Sequence, residues 1–430
     1  MNKVVLVFGG LGSAKSSVVG LYKNLLHTLS SRFDVVAIDP AVQHPKSCAS
    51  QFQFPYSARY ADLDAFLQAH SHTDVAATFV LTPVGTHLSI IEQVSNALDI
   101  QNLLFVVEKP SFSLAEIDTG FNQVIPELKR RGALFYFIDT ALVSPSLEAL
   151  FADSSIALPD SAPRKIIAIA ADNPIDNDEA IQDFRFENRI ELLNARKLLN
   201  LATSGGGGYG FDMGIHAIAG LVRYLHKSGI GDSQVELKQI RAERINESQL
   251  EYTQGAETHL YIEGELTPPE GNIEVVIEAG KAGDIWDRRL ELHYTDRVIA
   301  IGFGTLKHPP YLWERSPNGI KSTTFDVSGS GYAMHFNDIL CALGFDAEPL
   351  LSQQESEALM SQSMNLLRCV FDAIGDTHQV RERNITVVDK HMPKYLSEAE
   401  LEIRKELSQY LNSLFIKWAT SQYFWLNSIK

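Results

Sequence analysis

The feature that most limits the fold is an alternation of short apolar runs with helix-periodic segments between residues 3 and 139. Each run suits a strand buried on both faces, and the segments between the runs place leucine and valine at helical spacing. Strands that alternate with helices form a parallel sheet with right-handed crossovers. We therefore predict an α/β domain on a parallel sheet. The runs are KVVLVF, FDVVAID, VAATFVLTP, NLLFVVEKP and ALFYFID.

The pattern changes after about residue 160, where strands with period-2 alternation are separated by turn-rich pieces. Segments such as ETHLYIEGEL, NIEVVIEAG and RRLELHYTD predict an antiparallel sheet with one covered and one exposed face. Helical periodicity returns near the C-terminus. We predict a Rossmann-type parallel-sheet domain (1–145), an α+β domain with a large, mainly antiparallel sheet (146–375) and a helical C-terminal extension (376–430).

The extension carries several aromatic residues on its helical pattern, and packing of this helix on its own domain is the favoured interpretation. A subunit contact is the alternative. The exposed face of the antiparallel sheet invites pairing with a second copy, so we expect a homo-oligomer. The aromatic positions are Phe415, Trp418, Tyr423, Phe424 and Trp425.

Composition excludes several classes of partner. The chain has 37 basic and 53 acidic residues and a net charge of −16, which repels phosphate backbones and argues against nucleic acid. No run of about 18 apolar residues is present, so we expect no membrane span. Three scattered cysteines and no signal-peptide pattern favour a cytoplasmic protein without disulfides or a metal site.

The stretch LVFGGLGSAKSS, at the end of the first predicted strand, fits two kinds of glycine loop. A phosphate loop needs glycine directly before the lysine, and Ala14 occupies that position before Lys15. In a dinucleotide-binding turn, Gly10 allows the tight turn and Gly12 allows close approach of the pyrophosphate. Ser13 then caps the following helix. The dinucleotide interpretation is favoured, and the phosphate loop stays as an alternative.

Asp39, at the end of the second predicted strand, is placed to accept hydrogen bonds from an adenosine ribose. Its spacing from the glycines is longer than usual, and Lys15 stands where the third glycine of the fingerprint is expected. Lys15 is a candidate pyrophosphate contact. Because a carboxylate repels a 2′-phosphate, Asp39 favours NAD over NADP, although Lys15 or Lys46 offers an opposing charge and NADP is not excluded.

Three further stretches, VLTPVGTH, VVEKPSFS and GGGGYGFDMGIHAI, follow the glycine turn in order. Together they resemble the glucose–fructose oxidoreductase, inositol dehydrogenase and rhizopine-catabolism family of nicotinamide-dependent enzymes. The resemblance covers about residues 1–375. It implies a hydride transfer between the nicotinamide and a secondary alcohol or ketone of a sugar, nucleotide sugar or cyclitol.

The resemblance implies a catalytic set of Lys109, Asp212 and His216. Lys109 ends a parallel strand, where the ligand crevice of an α/β sheet opens, and its ammonium suits the reacting oxygen. Asp212 and His216 are four residues apart and share one helix face. The resemblance makes His216 the proton acceptor and donor, and Asp212 the group that holds the substrate hydroxyl or orients the catalytic groups.

The same resemblance places a second group of residues around the cofactor and the substrate. Thr82, Pro83 and His87 are expected to line the nicotinamide side, and Glu108 to contact the ribose. Arg196 and Lys197 are expected substrate contacts, with a solvated helix face as the competing interpretation.

The match departs from the family at YFIDTALVSPSLEAL, which is slightly similar to a signature of glucose-6-phosphate dehydrogenase. The arginine, histidine and lysine of that signature are replaced by Phe137, Thr140 and Ser144, so we reject that identity and expect an unusual substrate pocket. Asp139 either reaches the cleft or forms a turn. A non-catalytic dinucleotide-binding sensor of the same fold is the alternative function.

Overall fold

The computed structural model describes the greater part of the chain, and every structural statement below concerns those residues. None of the helices within them is both long and apolar enough to cross a bilayer. The described ranges are 3–11, 19–43, 54–70, 74–152, 156–171, 208–230, 235–245, 259–268, 271–280, 287–305, 308–325, 332–377, 379–383 and 396–427.

The first sheet has six described strands, all parallel, in the order β3-β2-β1-β4-β5-β6. This order, which reverses direction between β1 and β4, is that of the dinucleotide-binding Rossmann sheet. The predicted parallel sheet is therefore confirmed. Its strands are β1 (Val4–Phe8), β2 (Asp34–Ile38), β3 (Ala58–Tyr60), β4 (Val75–Val80), β5 (Leu104–Val107) and β6 (Leu134–Phe137).

Helices cover both faces of this sheet, which is why its central strands are apolar throughout rather than alternating. A π-helical turn, Gly120–Val124, joins two of the helices into one continuous segment. The helices are α1 (Lys23–Leu29), α2 (Leu63–Ala69), α3 (His87–Ala97), α4 (Ile117–Thr119) and α5 (Ile125–Arg130). The next helix, α6 (Pro145–Phe151), contacts the second sheet instead.

The second sheet has nine described strands in the order β14-β13-β12-β11-β7-β10-β9-β8-β15. Most neighbours are antiparallel, and β7–β10 and β8–β15 are parallel, so the predicted mainly antiparallel sheet is confirmed. Its strands are β7 (Lys165–Ala171), β8 (Glu236–Ile245), β9 (His259–Leu266), β10 (Ile273–Gly280), β11 (Asp287–His293), β12 (Val298–Gly302), β13 (Tyr311–Ser316), β14 (Gly319–Thr324) and β15 (Gln379–Arg383).

One long helix, α7 (Gly208–Lys227), packs against the inner face of the second sheet. Its apolar residues join the largest hydrophobic core of the molecule. The close approach of α7 to Phe303 requires a glycine at position 220, because a Cβ there would lie 2.4 Å from the Phe303 ring. Because α7 carries Asp212 and His216, this packing positions both predicted catalytic residues.

Two helices that follow the second sheet return to the first one. These are α8 (Ala333–Ala342) and α9 (Gln353–Thr377). Ile339 of α8 packs with Tyr22 and Phe79 of the first domain. In α9, the Ser356 hydroxyl donates to the carbonyl of Phe137 and accepts from its N–H, at 2.9 and 2.7 Å. These two helices therefore also cover the first sheet.

The outer face of the second sheet is covered by the C-terminal helix, α10 (Glu398–Asn427). Ile403 and Leu407 pack against Ala300 and Trp313 on this face. The described part of the C-terminal extension packs on its own chain, which was the favoured interpretation. The five aromatic side chains from Phe415 onward lie outside the described side chains. Part of the face expected to invite a second copy is thus covered by the chain itself, and the homo-oligomer stays a prediction.

Ion pairs fasten α10 to the same face. Arg404 donates to Glu278 at 2.9 Å with both side chains buried, and Lys165 lies 2.9 Å from Glu400. A buried pair of this kind does not by itself increase stability, but removal of one partner leaves a buried charge uncompensated. The helix is therefore held in one position by complementary charges as well as by apolar contacts.

Candidate active site

The carboxyl ends of the parallel strands form an edge where α/β proteins bind ligands. After β1 the chain turns at Gly9, whose φ of +75° favours glycine. A Cβ on Gly10 would lie 2.8 Å from the carbonyl oxygen of Val7, so the turn requires glycine there as well. The Tyr56 hydroxyl donates to the carbonyl of Gly10 at 2.6 Å and holds the turn against the next part of the sheet.

Asp39 lies at the end of β2, as expected, but its carboxylate faces the interior. Oδ2 accepts from the N–H of Leu11 at 3.0 Å and Oδ1 accepts from the N–H of Ala41 at 2.9 Å. The residue is only 2% exposed. In this arrangement Asp39 joins the glycine turn to β2 rather than offering its oxygens to a ribose, which weakens the argument for NAD.

Lys109 and Asp212 meet across the two domains. Lys109 follows β5, and its Nζ lies 2.9 Å from Oδ1 of Asp212 and 3.4 Å from the Asp212 carbonyl. The two side chains are 12% and 13% exposed, so the pair lies at the mouth of the cleft rather than in the core. The two residues are 103 positions apart in the chain, and the structure brings them together.

His216 lies one turn beyond Asp212 on α7 and pairs with Asp139, which follows β6. Its Nδ1 is 2.9 Å from Oδ2 and 3.1 Å from Oδ1 of Asp139. The imidazole is 1% exposed, and its Nε2 has no hydrogen-bond partner among the described residues. Of the two roles weighed for Asp139, contact with the site is the one that the structure favours.

The protonation of this pair follows from its environment. Burial lowers the pKa of His216 to about 4, against the opposing effect of Asp139, and the charges of Arg288 and Lys109 lower it further. Burial alone would raise the pKa of Asp139, but the interactions with His216 and the hydrogen bond from the Ala141 N–H have the larger effect. The pKa of Asp139 is therefore below its ordinary value. At neutral pH the ring is therefore neutral, Nδ1–H donates to the carboxylate, and Nε2 keeps a free lone pair.

Glu108 lies beneath this edge instead of facing the cleft. It is 2% exposed, its Oε1 accepts from the Tyr22 hydroxyl at 2.6 Å, and its Oε2 accepts from the N–H of Lys109 at 2.9 Å. Burial raises the pKa of Glu108 to about 7, against the hydrogen bonds and the Lys109 charge that lower it. The predicted ribose contact is replaced here by a bond that joins β5 to the turn before α1.

Thr82 and Pro83 follow β4 at the carboxyl edge of the sheet, where Thr82 is half-buried and Pro83 is exposed. His87 is buried below them. Its Nε2 lies 2.7 Å from the carbonyl oxygen of Thr82, and its Nδ1 lies 3.1 Å from that of Ser111. The ring therefore braces the loop after β4 against the loop after β5, and its contribution to a nicotinamide site is through the position of Thr82.

The α8 helix braces the loop that carries Asp139. His335 Nε2 donates to the carbonyl oxygen of Asp139 at 2.8 Å, and its Nδ1 lies 2.8 Å from the Tyr136 hydroxyl. That hydroxyl is also 2.5 Å from Oδ2 of Asp338. Burial lowers the pKa of His335 to about 4, so the ring is neutral and this network carries no net cation. Asp139 is thus held by His216 through its carboxylate and by His335 of α8 through its backbone carbonyl.

Several predicted residues lie outside the described part of the chain. Among the residues that are described, no group of three His, Cys, Asp or Glu side chains is arranged to hold a metal ion. Tyr22, Arg288 and Tyr332 belong to no sequence motif and were not predicted as site residues. The predicted residues outside the described ranges are Gly12, Ser13 and Lys15 in the glycine loop, and Arg196 and Lys197 before α7.

The strand order is that of a Rossmann sheet, and the glycine turn and the pairs Lys109–Asp212 and His216–Asp139 lie near its carboxyl edge, where such sheets bind ligands. No protein-family model and no curated protein matches the sequence. Solved structures do match the fold, and they are sugar oxidoreductases of the type that the sequence motifs resemble. The resemblance is therefore confirmed at the level of the fold.

Three of these structures cover almost the whole chain. UDP-N-acetylglucosamine 3-dehydrogenase from Acidithiobacillus ferrooxidans has a TM-score of 0.53 and 15% identity, covering 87% of this chain and 99% of its own. Aldose-aldose oxidoreductase from Caulobacter crescentus has a TM-score of 0.58 and 13% identity, covering 87% and 98%. A 3-ketoreductase from Actinomadura kijaniata, in complex with NADP, has a TM-score of 0.57 and 13% identity, covering 89% and 100%.

Proposed function

We propose that the protein is an NAD(P)-dependent oxidoreductase that interconverts a secondary alcohol and a ketone on a sugar, nucleotide sugar or cyclitol. The observation that carries the proposal is the contact between Lys109, which follows a Rossmann strand, and Asp212. Asp212 lies one helical turn before His216, a neutral ring whose Nε2 has no hydrogen-bond partner among the described residues. Sugar and nucleotide-sugar oxidoreductases among the structural neighbours support it.

The residues at the strand ends fit a dinucleotide. The strand order opens a crevice between the ends of β1 and β4, where the turn at Gly10 and the loop at Thr82 and Pro83 face each other. With the predicted loop residues Gly12 and Ser13, these would hold the cofactor. The nicotinamide supplies the hydride acceptor or donor. Both oxygens of Asp39 already accept backbone hydrogen bonds, so its preference for NAD is weakened, and Arg59 on the neighbouring β3 favours NADP. Both cofactors therefore belong in the test.

Lys109 and Asp212 are placed to orient the reacting oxygen. The Lys109 ammonium has three donor hydrogens, of which the Asp212 carboxylate accepts one at 2.9 Å and the Asp212 carbonyl a second, longer one at 3.4 Å. The third hydrogen is left for a substrate oxygen. A cation beside the reacting oxygen stabilises the negative charge that develops on it as the proton leaves. The pair therefore performs binding and electrostatic stabilisation in either direction of reaction.

His216 is placed to take the proton in oxidation and return it in reduction. Its Nε2 is the basic atom, because Nδ1–H donates to Asp139. When Nε2 gains a proton, the Asp139 carboxylate stabilises the resulting imidazolium. Asp139 thus holds the His216 ring in one tautomer and one orientation. Its charge also raises the pKa of His216, which burial lowers.

Replacement of Lys109 by methionine tests the proposal. Formation or loss of NADH or NADPH is followed by absorbance at about 340 nm with D-glucose, myo-inositol and UDP-N-acetylglucosamine, each with NAD and NADP. The Lys109→Met variant is expected to lose about 10²- to 10⁴-fold in kcat/KM. Lys129→Met is the matched control, because Lys129 pairs with Glu357 on the surface, far from the cleft residues in the chain.

Unchanged turnover in Lys109→Met would remove the assigned role. Cofactor binding without turnover of any substrate would instead favour the alternative of a dinucleotide-binding sensor. Magnesium-dependent ATP binding, measured by calorimetry, would favour the phosphate-loop interpretation of the glycine turn.

A further inference from the structure

Tyr332 lies directly before α8, the helix that packs against the first sheet. Its ring packs edge-on against that of Tyr22, with centroids 5.7 Å apart and an interplanar angle of 64°. Tyr22 in turn donates to Glu108, the residue directly before Lys109. The Tyr332 ring is therefore anchored to the cofactor-binding domain beside the end of β5.

The phenol of Tyr332 stands among the charged groups of the site. Burial raises its pKa well above the ordinary value, and the carboxylates of Glu108, Asp139 and Asp212 raise it further, while Arg288 opposes them. These four residues come from four different segments, and they all act on one hydroxyl. The phenol is therefore protonated at neutral pH and is available as a hydrogen-bond donor.

The hydroxyl of Tyr332 makes no hydrogen bond to any described residue, although the side chain is only 8% exposed. The other buried tyrosines in this region do find partners, since Tyr22 bonds to Glu108 and Tyr136 lies within bonding distance of His335. The hydroxyl oxygen of Tyr332 is not among the fully buried polar atoms that lack a partner, so solvent or a bound ligand can reach it. A hydroxyl with no protein partner at a ligand edge is available to bond to a ligand. Nε2 of His216, by contrast, is a fully buried atom without a partner among the described residues.

The position of Tyr332 is fixed relative to the catalytic pair. His335, three residues further on, donates to the carbonyl of Asp139, and the N–H of His335 donates to the carbonyl of Tyr332. The turn that presents Tyr332 is thus tied to the loop that orients His216. Such support is what a substrate-contacting group needs to hold a ligand in one orientation.

We propose that Tyr332 is a further substrate-contacting residue, whose hydroxyl donates a hydrogen bond to an oxygen of a polyol substrate other than the oxygen served by His216. The inference rests on the proposed function and narrows its substrate to molecules with at least two hydrogen-bonding oxygens near the reacting carbon. Simple monohydric alcohols leave the Tyr332 hydroxyl unsatisfied and bind less well.

Tyr332→Phe tests this assignment, because it removes the hydroxyl and keeps the ring that packs on Tyr22. Tyr224→Phe is the matched control: Tyr224 is also a buried tyrosine, on α7, but it packs against Phe151, away from the cleft residues. Each variant is measured for kcat and KM with myo-inositol, D-glucose and UDP-N-acetylglucosamine, for NADH and NADPH affinity by fluorescence, and for its melting temperature.

We expect Tyr332→Phe to lower kcat/KM by about 10- to 100-fold, with cofactor affinity and melting temperature close to those of the wild type and of Tyr224→Phe. Unchanged kcat/KM in Tyr332→Phe, with an active wild type, overturns the assignment and leaves the proposed function standing. A loss confined to cofactor affinity or melting temperature also overturns it. If Tyr332→Phe does not fold, Tyr332→Trp, which moves the donor but keeps an aromatic ring, takes its place. No turnover by the wild type with any of the three substrates overturns both the proposed function and this inference.

Discussion

Glu108 makes the stability of the protein depend on pH in a direction opposite to that of most carboxylates. Burial raises its pKa to about 7 from an ordinary value of 4.5, so the folded protein holds a proton on Glu108 that the unfolded chain releases at lower pH. The stabilising effect is complete below about pH 4.5 and is lost as pH rises through 7. The difference in pKa corresponds to about 3 kcal/mol between the two limits.

Glu108→Gln isolates this effect, because glutamine has the size of the neutral acid and does not ionise. The free energy of unfolding of the variant minus that of the wild type should increase by about 3 kcal/mol between pH 5 and pH 8.5. Urea unfolding followed by circular dichroism at several pH values measures this difference. Glu127→Gln, at a largely exposed position on α5, is the control and should show a difference that hardly changes with pH.

A particular result would refute the reasoning about Glu108. If wild type and Glu108→Gln lose stability in parallel from pH 5 to pH 8.5, then Glu108 is ionised in the folded protein across this range. The hydrogen bond from Tyr22 and the N–H of Lys109 would then outweigh burial, which is the opposite of the balance described above.

Three further predictions concern other parts of the molecule. Asp139→Asn should lower kcat by about 10²- to 10⁴-fold at an unchanged cofactor Kd, since His216 loses its orienting carboxylate; steady-state kinetics with fluorescence titration checks this. Leu407→Ala should lower the free energy of unfolding, measured with urea, by about 2–5 kcal/mol, because Leu407 is 1% exposed on the side of α10 that packs on the sheet. Ile320→Ala, at a 56% exposed residue, should have little effect. Light scattering of Leu407→Asp should show more self-association than that of the wild type, because a loosened α10 exposes Trp313 and its apolar neighbours.

Local patterns in the sequence were sufficient for the elements and for several of their strand-end residues. Apolar runs alternating with helical periodicity predicted the parallel sheet, since buried strands and amphipathic helices differ in period. The position of Lys109 directly after a strand placed it at the ligand edge. The four-residue spacing of Asp212 and His216 placed them on one face of a helix.

The direction in which individual side chains point was decided by tertiary packing. Asp39 and His87 were expected to face the cofactor, but both have partners in the backbone of neighbouring loops. Glu108 was expected at the ribose, yet it bonds to Tyr22, which is 86 residues away in the chain. Strand-end position determines the edge at which a residue lies, but not whether a loop from elsewhere covers it.

The sequence by itself determined the two kinds of sheet, the crossover helices and the edge of the first sheet that carries the chemistry, because each depends on periodicity within one segment. Only the tertiary structure decided that Asp139 pairs with His216, that Tyr332 packs on Tyr22 and that α10 packs on the outer sheet face. Each of these joins segments far apart in the chain, and such contacts arise from how surfaces fit once the elements pack.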